Sequence, residues 1–376
     1  MFFHIYYFAH AIKFVFSLHL SAMKNFGSRM LLFVGCALSI VLLSNASCEH
    51  VTNTDTGNSS TKGSLPQMNV AFYNLENLFD IEDDPLKNDE DFTPGGKLKW
   101  DNERYKLKLS QLSDVIDALP GDLPAFIGMC EVENRKVLED LRNQSKVSGK
   151  HYAIIHKDSP DERGIDVAAF YDSSKVSVEY FNYTTINLPV PKNIHTRDIL
   201  YVKLKANHEF IHLFVNHWPS RRGGQAKSEP NRIAVANVLE SLITKIEKSD
   251  KNAKILIMGD FNDYPTDKSI ATVLGAGVTK ESRLFNYMYD DHKAGQGSYY
   301  YKNEWGALDQ FIGSKFLLNA RNGWSASESS AYIFRDDLIM FKDKEGVQRP
   351  NRTFLGEDYK GGYSDHLAIY MTLTWK

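Results

Sequence analysis

Short apolar, β-branched and aromatic runs recur along this chain, and nearly every one adjoins a polar motif. Met68–Tyr73 runs into Asn74-Leu75-Glu76, Ala125–Met129 into Glu131, Ile211–Val215 into His217, and Lys254–Met258 into Gly259-Asp260-Phe261-Asn262. Near the end, Ser364-Asp365-His366 precedes the run Leu367–Met371. A buried strand delivers a polar group to its end in this way. Such a chain has to fold into sheets with a polar edge.

Helical patterns lie between these runs. Tyr105, Leu109, Leu112, Ile116 and Leu119 recur at three- and four-residue steps before Pro120-Gly121, which predicts an amphipathic helix and its stop. A second helix is predicted from Pro230, with Val235, Val238, Leu239, Leu242 and Ile246 on one face. Shorter hairpin-like strands are expected at Val167–Tyr171 and Ile199–Leu204. Strands and helices interleave, as in sheets covered by helices. Residues 80–100 are polar and acidic, with Asp83, Asp84, Asp89, Glu90 and Asp91 among prolines and glycines. This stretch reads as a solvated loop in preference to a calcium loop, because no regular ligand spacing appears.

The N-terminus is organised differently. Leu31–Leu43 is an apolar run preceded by Lys24 and Arg29 and followed by Ser44-Asn45-Ala46, the three-part layout of a signal peptide. Residues 1–46 are therefore read as a signal region, with Met23 as the expected start and residues 1–22 as an upstream extension; a true first anchor helix is the alternative. Cys48 is either a lipidated attachment cysteine or a residue left unpaired by cleavage at Ala46. Residues 47–66, rich in Ser, Thr, Asn and Gly, read as a flexible tether, and residues 67–376 as the folded domain. Both readings of Cys48 imply export, to the periplasm, the outer membrane or the medium. Cys130 is the one cysteine in the domain, so no disulfide framework exists there. The net charge is −3 and the leader holds Lys13, Lys24 and Arg29 without an acid, so the domain is more acidic still. It lacks the basic footprint of a nonspecific nucleic-acid binder.

The motif residues suit phosphoester hydrolysis, which needs a hard cation on carboxylates, a base for water and positive charge near the leaving oxygen. Glu131 ends an apolar strand, where a lone carboxylate is costly; a metal would compensate it, and an ion pair with Arg135 is the structural alternative. Asp260 and Asn262 stand two apart, so strand alternation sends both to one side. His366 could be a core histidine, but Asp309, in Leu308-Asp309-Gln310, offers the carboxylate that would orient it. Asn216-His217-Trp218-Pro219-Ser220-Arg221-Arg222-Gly223-Gly224 adds a second histidine and two arginines suited to phosphate oxygens. Arg163 is a further phosphate contact or a structural salt bridge.

Taken together, these motifs resemble the endonuclease/exonuclease/phosphatase superfamily, with its DNase I-like fold, over about residues 67–376. The resemblance implies an α/β (α+β) four-layer sandwich, two mixed sheets face to face with helices outside. It implies Mg²⁺ or Mn²⁺, with Ca²⁺ a further candidate, held by Glu76, Glu131 and Asp365. It makes Asp260 the water-activating group and Asn262 its partner. Asp309 becomes the carboxylate behind His366, His217 a second histidine near the phosphate, and Asn74 the first-strand asparagine. Substrate phosphate contacts fall to Asn74, Arg221, Arg222 and Arg163. The leading reading is an exported, monomeric phosphodiesterase, an endonuclease on DNA or RNA, with in-line attack by water. A phosphatase or phosphodiesterase on a nucleotide, sugar phosphate or lipid headgroup is the alternative, and an inactive binding protein the third class. Tyr299-Tyr300-Tyr301 could be an exposed aromatic hairpin; strand packing is the simpler expectation.

Overall fold

Met68, Val70 and Phe72 of strand β1 (Gln67–Leu78) enter one buried apolar cluster, while Ala71, Tyr73 and Leu75 enter another. Side chains on a strand alternate between faces, so β1 is covered on both sides. The computed structural model describes residues 65–376 except 122, 145, 192 and 193. The expected signal region, the Met23 start, Cys48 and the tether up to residue 64 lie outside the described residues.

The strands that follow are β2 (Phe126–Val132), β3 (Tyr152–Ile155), β4 (Asp166–Asp172), β5 (Val176–Leu188), β6 (Ile194–Ala206), β7 (Glu209–His217) and β8 (Ile255–Asp260). Next come β9 (Ala276–Gly277), β10 (Leu284–Asn286), the hairpin β11 (Tyr299–Tyr301) and β12 (Glu304–Gly306), and β13 (Asp309–Ser314). Short strands β14 (Trp324–Ser325) and β15 (Ala331–Ile333) and the hairpins β16 (Met340–Lys342), β17 (Gln348–Pro350) and β18 (Phe354–Leu355), β19 (Asp358–Tyr359) lead to β20 (Ile369–Trp375). One seven-stranded sheet has the order β14-β20-β1-β2-β4-β3, with β15 on β20, and the other the order β5-β6-β7-β8-β13-β10-β9.

Helices α1 (Asn102–Ala118) and α2 (Arg135–Arg142) cover the first sheet through Leu112, Ile116, Val137 and Leu141. Helix α3 (Gln225–Ser249) covers the second through Val235, Leu239 and Ile243. Between the sheets lie Phe72, Val215, Met258 and Met371. The expected four layers are thus present. Helix α1 is capped by the Asp101 carboxylate, which accepts from the amides of Glu103 and Arg104, satisfying donors that a helix start leaves open. Helix α3 starts five residues before the expected Pro230. Pro230 costs little there, because the carbonyl it leaves without a partner belongs to exposed Ala226 in the first turn.

Two parallel pairs set the position of the polar ends. Strands β1 and β2 are parallel, with Asn74 beside Cys130, and β7 and β8 are parallel, with His217 beside Asp260. Parallel neighbours finish at the same edge because a crossover has to return the chain; α1 and α3 lie in these connections. Antiparallel β13 begins at that edge, Asp309 opposite Asp260, and β20 begins just after His366. Four chain ends and two chain starts therefore bring the polar motifs to one end of the sandwich.

Candidate active site

The backbone at the strand ends is bent to aim side chains. Glu76, Glu131 and Asn262 have φ of 49°, 60° and 50°, the left-handed region that non-glycine residues seldom adopt. The β1–β2 register shifts between Asn74 and Leu78, and the β2–β4 register between Cys130 and Val132. These irregularities turn Glu131 out of its strand. Close approach of β7 to β8 depends on Gly259, where an added Cβ would stand 2.4 Å from the Asn216 carbonyl oxygen.

A cavity of about 750 Å³ opens at this edge, with Glu131, His217, Asp260, Asn262, Asp365 and His366 in its wall. Asn74 Nδ2 donates to Glu131 Oε1 at 3.3 Å and to Asp260 Oδ2 at 3.2 Å. The Asn77 amide donates to Glu131 Oε2 at 2.9 Å. Asp260 also accepts from the Asn262 amide at 2.9 Å and from Asn262 Nδ2 at 3.3 Å. His366 Nδ1 meets Asp309 Oδ2 at 2.7 Å, and His366 Nε2 lies 3.9 Å from Asp260 Oδ2. Ser298 Oγ donates to the same Asp309 oxygen. His217 Nε2 stands 3.7 Å from both Glu131 and Asp260. The sequence alternative for Glu131 is not realised: Arg135 pairs with Glu139 at 2.9 Å.

Burial divides the charges. It raises Asp260 to about 6, with Asp309 adding to the rise and His366 opposing it. Burial alone would lower His366, but Asp309 and Asp260 outweigh it and lift the imidazole well above its ordinary value. His217 is driven well below by burial, then by Arg197 and Arg163. One histidine is therefore held charged and the other neutral at pH 7.

Asp260, Asp309 and His366 bring ligand atoms within 4.8 Å of one another, and within this group His366 and Asp309 are paired at 2.7 Å. Glu131 and Asp365, with Asn74 and Asp260 beside them, are the oxygen donors that could hold a hard divalent ion. Burial raises Asp365, with His366 and Arg352 opposing the rise and Glu131 adding to it. Glu76 sits behind it and outside the cavity wall. Its oxygens accept from the amides of Thr353 and Phe354 at 2.6 and 3.1 Å, and burial next to Asp365 raises it to about 7.

The arginines are sorted by the fold. Arg221 is bound by Asp267 at 2.5 Å, Asp263 at 3.3 Å and the Asn262 carbonyl at 2.7 Å, so it braces the loop. Arg222 is exposed at the cavity wall, and Arg163 reaches the wall while donating to Asn77 Oδ1 at 2.7 Å. Sequence reasoning missed buried Arg197, bound to the Trp218 carbonyl and Asp161, and Arg352, 2.9 Å from Asp365. It also missed Lys108, buried against Thr353 Oγ1 at 2.6 Å and lowered to about 8 by that burial. The tyrosine reading needs correction. Tyr299–Tyr301 is not core strand but one arm of a two-stranded hairpin at the cavity mouth. Tyr299 lies 4.7 Å from the His366 ring, and Tyr301 is 60% exposed.

Fold and site define a metal-dependent phosphoester hydrolase. The chain belongs to the Endonuclease/Exonuclease/phosphatase family, whose model matches residues 69–375. Solved structures share the fold at a TM-score of 0.50. One is a family member from Bacteroides thetaiotaomicron, 16% identical, with 83% of this chain and 99% of that one covered. A second is D. rerio TDP2 complexed with single strand DNA product, 13% identical, covering 82% and 98%. A third is a family member from Bacteroides vulgatus, 12% identical, covering 83% and 100%. No curated protein sequence matches the chain.

Proposed function

We propose that this protein is a phosphodiesterase acting on nucleic acid strands, DNA or RNA, by in-line attack of water. The observation that carries the reading is the rim. Tyr301 is exposed beside Tyr299, and Lys302, Arg222 and Arg163 stand around the same cavity. Flat aromatic faces suit bases and dispersed cations suit the phosphates on either side of a cut. The likeness to D. rerio TDP2 concerns the fold alone.

Asp260, ionised at pH 7, would orient water and take its proton. Asn74 and Asn262 hold that carboxylate in place. His366, kept charged by Asp309, would donate Nε2–H to a phosphoryl oxygen, as neutral His217 would to another. Arg163 and Arg222 would bind phosphate oxygens. Mg²⁺ or Mn²⁺, when bound by Glu131 and Asp365, supplies positive charge to the phosphoryl group. Ahead of the domain, the leader and Cys48 make export and a lipid tether the reading for cellular place; intact mass of the mature protein tests it.

A second reading, hydrolysis of a small phosphoester, draws on the cavity volume of about 750 Å³, which is a small-ligand size, and on the net charge of −3. Supercoiled plasmid, single-stranded RNA and a phosphomonoester panel, each with Mg²⁺, Mn²⁺ or EDTA, separate the two. Nicking or strand cleavage that falls in Tyr301→Ala supports the first; phosphate release with intact polymers supports the second.

A further inference from the structure

The wall of the catalytic cavity is chemically divided. Beside His366 stands the β11–β12 hairpin with Tyr299 and Tyr301; beside His217 stand Arg163, Arg197 and Arg222, with Gly223 and Gly224 at the start of α3. The positive charge on the His217 side is only partly neutralised. Arg222 is exposed, and among the described residues it makes no hydrogen bond or ion pair. Arg163 donates to the uncharged side chain of Asn77 at 2.7 Å. Arg197 is 8% exposed and meets Asp161 at 3.3 Å and the Trp218 carbonyl at 2.7 Å, while its Nε is buried without a partner. A buried guanidinium with an unused donor costs free energy, and an anion beside it lowers that cost. The acids on this side are engaged elsewhere. Asp161 also accepts from the Arg163 amide at 3.0 Å, and Asp263 and Asp267 hold Arg221.

Helix α3 adds to this charge. It is 25 residues long, starts at Gly224 without a side-chain cap and has no acid in its first turn, so the partial positive charge of its N-terminus is not offset there. Gly223 and Gly224, with φ of 81° and 108°, bring bare backbone to the cavity wall. Helix starts of this kind hold phosphate. The cationic side joins the catalytic carboxylate through one carbonyl. The Trp218 oxygen accepts from Arg197 Nη2 at 2.7 Å and from Asn262 Nδ2 at 3.0 Å, and Asn262 Nδ2 also reaches Asp260 at 3.3 Å.

Building on the nucleic-acid reading above, we propose that the His217 side is a second phosphate subsite, which takes the phosphate next to the scissile one. Its ligands are Arg222, Arg163 and the first backbone amides of α3, with Arg197 as the buried charge behind them. The substrate it selects carries two phosphates one nucleotide apart. A base beside Tyr301 and a phosphate beside Arg222 then fix the strand on either side of the cut, and a substrate with a single phosphate leaves the cationic side empty.

The test compares thymidine 3′,5′-bisphosphate with the 3′- and 5′-monophosphates. Binding is measured by calorimetry on the Asp260→Asn protein in EDTA, so that neither cleavage nor metal intervenes. The bisphosphate should bind at least about tenfold more tightly than either monophosphate, the worth of one hydrogen bond between charged groups. That advantage should disappear when Arg222→Ala is added, a change at an exposed side chain that leaves folding intact, and should shrink with Arg163→Ala. Equal binding of the three nucleotides, or an advantage unchanged in both arginine variants, would overturn the subsite. Wild type with Mg²⁺ is then given a thymidine dinucleotide, with one phosphate, a trinucleotide, with two, and the bisphosphate. Faster cleavage of the trinucleotide assigns the subsite to a neighbouring backbone phosphate. Phosphate release from the bisphosphate with both oligonucleotides intact assigns it to a small bisphosphate, so the subsite stands while the strand reading falls.

Discussion

His366 and His217 share one cavity and are pushed in opposite directions, His366 up by Asp309 and Asp260 against its burial, His217 down by burial, Arg197 and Arg163. Removing the partner of Asp309 should matter most: His366→Gln should lower turnover by about 10²–10⁴-fold, the usual worth of a positioned proton donor, with an unchanged far-ultraviolet spectrum. Activity should also depend on pH in two steps. Asp260 has to be ionised, so the rate climbs as pH rises through about 6; His366 has to stay charged, so the rate declines only when pH passes its raised value. A rate profile with steady-state metal checks both limbs, and a profile flat from pH 5 to 7 would remove Asp260 as the titrating base. These residues were legible because each follows or precedes an apolar run. Arg352, Arg197 and Lys108 were not, since their proximity to the site comes from long-range packing; Lys108 meets Thr353, 245 residues further along the chain. Glu76 shows the opposite limit: its motif was readable, but not that backbone amides would occupy both its oxygens.

Strand ends rather than whole strands carry the specialisation. Gly259→Ala would drive a Cβ into Asn216, with contacts of 2.4 and 2.7 Å. Overpacking of this kind costs about 1–3 kcal/mol, and the parting of β7 from β8 should reduce turnover more than stability, measurable as rate against melting temperature. Leu112→Ala in α1 acts the other way. It empties a fully buried position under the first sheet and should cost about 2–5 kcal/mol, while the surviving folded protein keeps its rate. The sequence periodicities located α1 and strands β1, β2, β4, β6, β7, β8 and β20, but not β5, whose outward residues break its pattern, nor the short strands. They placed the start of α3 late, because proline was read as a first helical residue, and they ranked strand packing above the exposed hairpin at Tyr299–Tyr301, because three consecutive tyrosines look the same whether a sheet or a cavity mouth receives them.

Several carboxyls of the domain are buried and left to be neutralised. Burial raises Asp260 to about 6, Glu76 to about 7 and Glu133 to about 8. A carboxyl whose folded value is raised binds its proton more tightly in the fold than in the unfolded chain. Its stabilisation is complete below about pH 4, the unfolded value, and is lost as pH rises through the folded one. The metal-free protein should therefore melt at progressively lower temperature between pH 4 and 8, and divalent ions should restore it; a Tm that rises with pH in EDTA would contradict the charge assignment. The central claim is metal-dependent phosphoester hydrolysis centred on Asp260. Its most direct test is the rate of strand cleavage or phosphate release, wild type against Asp260→Asn, in Mg²⁺ and in EDTA. The account predicts activity in Mg²⁺, none in EDTA, and a loss of at least about 10²-fold in the variant. A variant that keeps the wild-type rate, or hydrolysis that persists in EDTA, would contradict it.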